Sequence, residues 1–241
     1  MSIGIYTNVT NMEALENRQS VVANNLANSS VPGFQKTLFA VSGNQMADRS
    51  RGVSQAYLLD GAVERSLQPG AVKVTGNPND LAIQGEGYFQ LQGPGGQNLY
   101  TRNGEFHVDA EGQLVNSDNL PVLGEGGPIN IDLELGDFSV AQDGTVSQDG
   151  QQIAKLAVYR FDNAEALKSY MGTSFVDPNG EARPQIVESP TIRQGQIEMS
   201  NVSSMQEMIS MIEISRAYEL AQKSIQQSDE LTEKMIQTAT S

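Results

Sequence analysis

Few side chains in this 241-residue sequence could do chemistry. There is one histidine, His107, and no cysteine. Thiolate nucleophiles, thiolate metal sites and disulfides are therefore excluded, and imidazole chemistry rests on a single residue. A hydrolytic triad would have to use His107. It sits in the alternating run Glu105-Phe106-His107-Val108-Asp109, which predicts a strand histidine facing solvent. With 29 carboxylates some acidic pair is unavoidable, so paired carboxylates carry no specificity for glycoside hydrolysis, and no tryptophan is present to stack a sugar. Gly85-Glu86-Gly87 lacks the third glycine of a dinucleotide fingerprint, and no glycine loop runs into Lys-Ser or Lys-Thr. Asp143 and Asp149 lie six residues apart across a turn and read as hairpin residues rather than a calcium loop. The Asn-x-Ser/Thr sequons at Asn8, Asn28 and Asn201 fall in expected helical ends and read as incidental. The expectation is a protein that is not an enzyme, with no catalytic, cofactor-binding or metal residues, no cofactor and no small-molecule substrate.

Charge narrows the partners. Fifteen Lys and Arg against 29 Asp and Glu give a net charge of −14, which repels polyanions, so nucleic acid and anionic membrane are poor partners. No stretch approaches the ~20 apolar residues of a membrane span. The N-terminus carries neither a charged nor an apolar leader segment, so export would proceed without a cleaved signal peptide.

The elements that would position any binding residues divide into three parts. All nine prolines lie between Pro32 and Pro190, and neither proline nor glycine follows Gly195, so the ends can be helical while the middle cannot be much so. In the first part Ile5, Val9, Met12, Leu15, Val22 and Leu26 recur at helical steps. Thr10-Asn11-Met12-Glu13 reads as a capping box, placing the helix start there or one or two turns earlier. Asn28-Ser29-Ser30 followed by Pro32-Gly33 ends it. In the last part Ser200 and Asn201 are cap candidates for a helix of roughly 35 residues. It carries Val202, Met205, Met208, Ile209, Ile212, Ile214, Tyr218, Ala221, Ile225, Leu231 and Met235, and the apolar phase slips between Ile212 and Ile214, which predicts more than one neighbour. Core packing and packing between subunits share this stripe. The middle reads as short strands: 81–84, 88–91, 106–108, 113–115 and the longest at 154–161, with a short helix at 163–170. Asp143-Gly144, Asp149-Gly150 and Asn179-Gly180 are hairpin signals. Twelve of the fourteen aromatics lie between Phe34 and Phe175, where a sheet core needs them. The expected fold class is α+β: a mainly-β central domain over 76–190, an N-terminal helix within 1–35, a linker with extended segments over 36–75 and a C-terminal helix within 191–241.

Four segments resemble, in order, the bacterial flagellar axial proteins, the rod and hook family. They are Ala23-Asn24-Asn25-Leu26-Ala27-Asn28-Ser29-Ser30-Val31-Pro32-Gly33-Phe34; Asn77-Pro78-Asn79-Asp80-Leu81-Ala82-Ile83-Gln84-Gly85-Glu86-Gly87-Tyr88-Phe89; Tyr100-Thr101-Arg102-Asn103-Gly104-Glu105-Phe106; and Gly195-Gln196-Ile197-Glu198-Met199-Ser200-Asn201-Val202, continued by Glu207-Met208-Ile209 and Arg216-Ala217-Tyr218-Glu219. Ile5-Tyr6-Thr7 and Pro121 to Ile129 are similar to the proximal-rod type, whereas the 207–219 segments match the distal-rod type at least as well; the resemblance to the proximal-rod type is the favoured reading and the distal-rod type its alternative.

The resemblance implies terminal helices that pair as a coiled coil inside a helical polymer, with the β domain outside. It implies a structural subunit of the hollow, torque-transmitting rod in the periplasm, exported by the flagellar type III apparatus, with itself and neighbouring rod proteins as partners. Leu15, Val22, Leu26, Met205, Ile209, Ile212 and Tyr218 are the expected subunit-packing residues. Asn24, Asn25 and Asn28 satisfy helix-end groups or bond across subunits. A different class stays open at this level: a secreted acidic β-rich module that binds carbohydrate or a host surface.

Overall fold

A computed structural model describes residues 3–45 and 57–239 of the chain. They fold as two compact units: Met1–Ala27, Thr37–Ser66 and Ser203–Ser241 form the first, and Asn28–Lys36 with Leu67–Val202 form the second. The fold is α+β, mainly β with one helix near each terminus.

In the first unit α1 spans Ile3–Ala27. The helix begins about two turns ahead of Thr10, so Thr10-Asn11-Met12-Glu13 is helix interior and not a cap. It ends where the sequence predicts, because Asn28-Ser29-Ser30 favours local turns. The Val31 N–H closes that turn on the Asn28 carbonyl at 3.1 Å. The strands β1 (Thr37–Gln45) and β2 (Tyr57–Arg65) pair antiparallel from Thr37↔Arg65 to Gln45↔Tyr57. Residues 46–56 of the expected linker lie outside the described residues. The second helix, α2 (Ser204–Ala239), has 36 residues and a length of ~54 Å at 1.5 Å per residue. The Glu207 N–H bonds the Ser203 carbonyl at 3.0 Å, which makes Ser203 the cap, three residues after Ser200. Glu207 is the acidic residue of the first turn, where the helix dipole favours it.

The second unit is built of short antiparallel strands. Its first eight are β3 (Val72–Val74), β4 (Leu81–Ile83), β5 (Tyr88–Gln92), β6 (Asn98–Thr101), β7 (His107–Val108), β8 (Leu114–Val115), β9 (Val122–Gly124) and β10 (Gly127–Pro128). Then come β11 (Phe138–Val140), β12 (Thr145–Gln148), β13 (Gln151–Lys155), β14 (Val158–Phe161), β15 (Lys168–Met171), β16 (Ser174–Val176), β17 (Pro184–Ile186), β18 (Ile192–Gln194) and β19 (Gln196–Glu198). The largest sheet runs β10-β9-β5-β6-β16-β15, with β14 joining β5 and β17 joining β14. Strands distant in sequence close the unit: β18 pairs with β4 and β19 with β3.

The long strand expected over 154–161 is two, β13 and β14, because Leu156 and Ala157 leave the ladder and bury themselves in the core. The expected helix over 163–170 is a single 3-10 turn, Ala164–Ala166, followed by β15. Asp149 (φ 49°) and Gly150 (φ 73°) turn β12 into β13, the paired left-handed residues of a tight hairpin. Asp143 turns β11 into β12; its carboxylate accepts the Thr145 N–H at 3.0 Å, and that bond holds the group below the ordinary carboxylate range. His107 is exposed, as the alternation predicts.

One core gathers Leu81, Phe89, Leu91, Leu99, Leu114 and Ile129, all fully buried. A smaller one gathers Tyr88, Tyr100, Leu167, Phe175 and Ala182. Tyr100 meets Phe161 edge-on at 4.7 Å between ring centres, a preferred aromatic geometry. Beside it lies a buried ion pair, Arg102–Glu198, both side chains 5% exposed. The Arg102 guanidinium also donates to the carbonyls of Ile83, Gly85 and Gly87. The second Glu198 carboxylate oxygen accepts the Gly70 N–H at 2.9 Å, and the Glu198 carbonyl accepts the Gly33 N–H at 2.8 Å. Asn201 completes this latch: its Oδ1 accepts the Lys36 N–H at 2.6 Å and its Nδ2 donates to the Gln68 carbonyl at 2.7 Å. Its amide is thus engaged in tying three chain segments together rather than capping a helix.

Candidate subunit-packing site

The residues singled out in the terminal helices fall on two faces of the first unit. At 3.6 residues per turn, Val22 and Asn25 share one face of α1 and are buried. Glu207 and Ile214, seven apart and so two turns along one face of α2, are also buried. The two helices are tied at two levels. Asn25 Nδ2 donates to Glu207 Oε2 at 3.4 Å, and the Tyr218 hydroxyl donates to Glu16 Oε1 at 3.0 Å. The Glu16 carboxylate raises the Tyr218 hydroxyl above its ordinary value, chiefly through that hydrogen bond.

Asn25 also answers β1. Its Nδ2 donates to the Thr37 carbonyl at 2.8 Å while its Oδ1 accepts the Thr37 N–H at 2.9 Å. A primary amide presents a donor and an acceptor side by side and so mimics a backbone peptide. The residue therefore bonds both backbone polar groups of Thr37.

Leu15 is half-buried and lines a notch of about 330 Å³ with Ala14, Arg18, Phe39, Ala217 and Ala221. Leu26 and Tyr218 are half-buried, and Asn24 is exposed. Asn28 is half-buried in the turn that ends α1. Met205, Ile209 and Ile212 are 71%, 52% and 54% exposed, on the side of α2 away from Glu207 and Ile214. Leu15, Val22, Asn25 and Tyr218 are thus brought to the helix–helix side, and Met205, Ile209 and Ile212 are not. The phase slip after Ile212 marks where the apolar residues pass from the outer face to the inner one. The side chains of Ile5, Val9, Leu231 and Met235 lie outside the described residues.

Ile214, already part of the apolar stripe, completes the inner face with Glu207 and Thr37, whose polar side chains carry no apolar periodicity. The available signal was the seven-residue spacing of Glu207 and Ile214, which crosses the slip. Among the described residues no group of histidines and carboxylates could hold a metal, and no helix is long and apolar enough to cross a membrane.

Three family models match segments of the chain. Residues 5–35 match "Flagella basal body rod protein", 82–148 match "Flagellar hook protein FlgE/F/G D1 domain", and 193–238 match "Flagellar basal body rod FlgEFG protein C-terminal". The chain is 34% identical over 240 residues to the flagellar basal-body rod protein FlgF of Rhizobium meliloti, covering 99% of this chain and 98% of that one. It is 34% identical to FlgF of Caulobacter vibrioides, with 98% of each chain covered. Similarity to FlgG of Buchnera aphidicola is 31%, over 97% of this chain and 98% of that one. The chain belongs to the flagellar basal-body rod protein family. Within that family it is of FlgF type. Members are structural, non-enzymatic parts of the flagellum that associate with other basal-body rod components, and this chain is one of them.

Proposed function

We propose that the chain polymerises helically through its terminal helices into the hollow shaft that carries torque through the periplasm. The observation that carries this reading is the apolar outer face of α2. Met205, Ile209 and Ile212 leave large aliphatic surface to water in a single chain, and contiguous surface of that kind belongs at interfaces. Rotation that does not close a ring yields a helical filament. Leu15, Val22, Leu26, Met205, Ile209, Ile212 and Tyr218 pack within and between subunits. α1 and α2 pair as a coiled coil, and the amides of Asn24, Asn25 and Asn28 fix helix ends or bond across subunits. The working parts of the subunit are the helix within 1–35, the linker over 36–75, the central β domain over 76–190 and the helix within 191–241. The subunit reaches the periplasm through the type III apparatus and has no nucleic acid, membrane or small-molecule partner.

The double substitution Ile209→Asp/Ile212→Asp tests the reading. Both residues are exposed, so the isolated chain keeps its helical content and unfolding midpoint, while the protein is absent from purified basal bodies and the cells do not swim. Normal incorporation and motility would refute packing through this face.

A further inference from the structure

α1 carries a defect on its inner face. By helical angle Asn11 and Arg18 share the side of Val22 and Asn25, yet both are exposed. The reason stands opposite: α2 presents Ala217 and Ala221 at that level, too short to reach across. The space left is the notch of about 330 Å³, with Ala14, Leu15 and Phe39 as its apolar walls and Arg18 at its rim. An apolar recess beside a packed helix pair exposes carbon to water that a larger side chain could cover.

The same unit carries the matching projection. Met205, Met208, Ile209 and Ile212 are all about half exposed or more and recur at i, i+3, i+4 and i+7, the pattern of anchors laid into a groove. Their centre lies about 160° around α2 from Glu207 and Ile214 at ~100° per residue, so the projection faces away from its own notch and cannot fill it. Glu213, four residues after Ile209 and exposed, borders this stripe with a charge opposite to that of Arg18.

We propose that the notch is the receiving site for the Met205–Ile212 face of a second copy of this chain, with Ile212 entering between Ala14 and Ala217 and Glu213 meeting Arg18. This deepens the reading of the chain as a rod subunit and rests on it. The contact is heterologous: every copy offers one notch and one projection on different faces, so each bound copy leaves a free site for the next. The alanines are then part of the recognition surface, since a larger residue at 217 would close the notch from within its own chain. Methionine at 205 and 208 suits a seat of mixed outline.

The absence of cysteine from the chain makes the test direct. Two differently tagged full-length versions, Ala14→Cys and Ile212→Cys, are produced together in the source bacterium in place of the native copy, and basal bodies are isolated and oxidised. The expected result is a disulfide-linked dimer carrying both tags, absent when either version is present alone and absent when Ser20→Cys, exposed on the opposite side of α1, replaces Ala14→Cys. In parallel, Ala217→Trp abolishes incorporation while the purified protein keeps its helical content. Dimers of one tag alone would mean a symmetric contact and overturn the proposal. So would the absence of any link between two versions that are both present in the basal bodies, an outcome that leaves the rod reading intact. Absence of even the unmodified chain from basal bodies would remove the rod reading and this inference together.

Discussion

Asn25 hydrogen-bonds Thr37 twice, once as donor at 2.8 Å and once as acceptor at 2.9 Å, so one side chain at the end of α1 takes the place of a strand neighbour for the first residue of β1. Removing it takes one hydrogen bond from the N–H and one from the C=O of Thr37. Asn25→Ala is expected to cost about 1 kcal/mol for each of the two part-buried hydrogen bonds lost, read as a lower urea midpoint. Asn25→Asp should be worse than Asn25→Ala, because it loses the donor and sets a carboxylate against Glu207. Equal stability of all three proteins would refute the assignment.

The Arg102–Glu198 pair invites a double-mutant cycle. Both side chains are almost fully buried, so Arg102→Met leaves an uncompensated carboxylate and is expected to destabilise by about 3–5 kcal/mol. Arg102→Met/Glu198→Met removes both charges and should recover part of that loss. Additive single effects in urea denaturation would show that the two residues act independently.

Gly33 and Gly150 both have positive φ, 69° and 73°, but differ in what surrounds them. A Cβ at Gly33 would collide with the backbone of Arg102 and Asn103, whereas at Gly150 nothing stands within 4 Å. Gly150→Ala is expected to cost only the left-handed penalty of about 1–2 kcal/mol, and Gly33→Ala distinctly more. Thermal unfolding of the two variants side by side gives the comparison, and equal losses would refute it.

Tyr100 supplies a pH dependence. Burial, reinforced by Tyr159 and Asp177, pushes its hydroxyl up to about 12 from 10.0. An ionised phenol is therefore favoured in the unfolded chain first. The contribution of this group to stability is full below pH 10 and is lost as pH rises from 10 to about 12. Tyr100→Phe is expected to flatten the stability profile in that window relative to the unsubstituted protein. Parallel profiles from pH 9 to 12 would contradict the burial argument.

The helices were legible in sequence because 3.6-residue periodicity persists over 25 and 36 residues and because proline and glycine mark where it must stop. The start of α1 was not, since Thr10-Asn11-Met12-Glu13 has capping chemistry but sits inside a helix whose packing against its neighbours overrides it. Strands of two or three residues, such as β7 or β8, are too short to carry a period, and the pairing of β4 with β18 has no local signal at all. In the packing site, apolar spacing located Leu15, Val22 and Tyr218. Glu207 and Thr37 escaped it because their role is polar, and the notch escaped it because it is made by what Ala217 and Ala221 lack.

The pairing of β4 with β18 joins residues roughly 110 positions apart, the kind of distant contact that slows folding. A chain emerging N-terminus first at about 5–20 residues per second holds the first half of its β unit for several seconds before the strand that closes it exists. Through that interval Leu81 and Ile83, which end fully in the core, have no covering strand. The part of the core around Leu81 and Ile83 is thus closed only once residues 192–194 have been made.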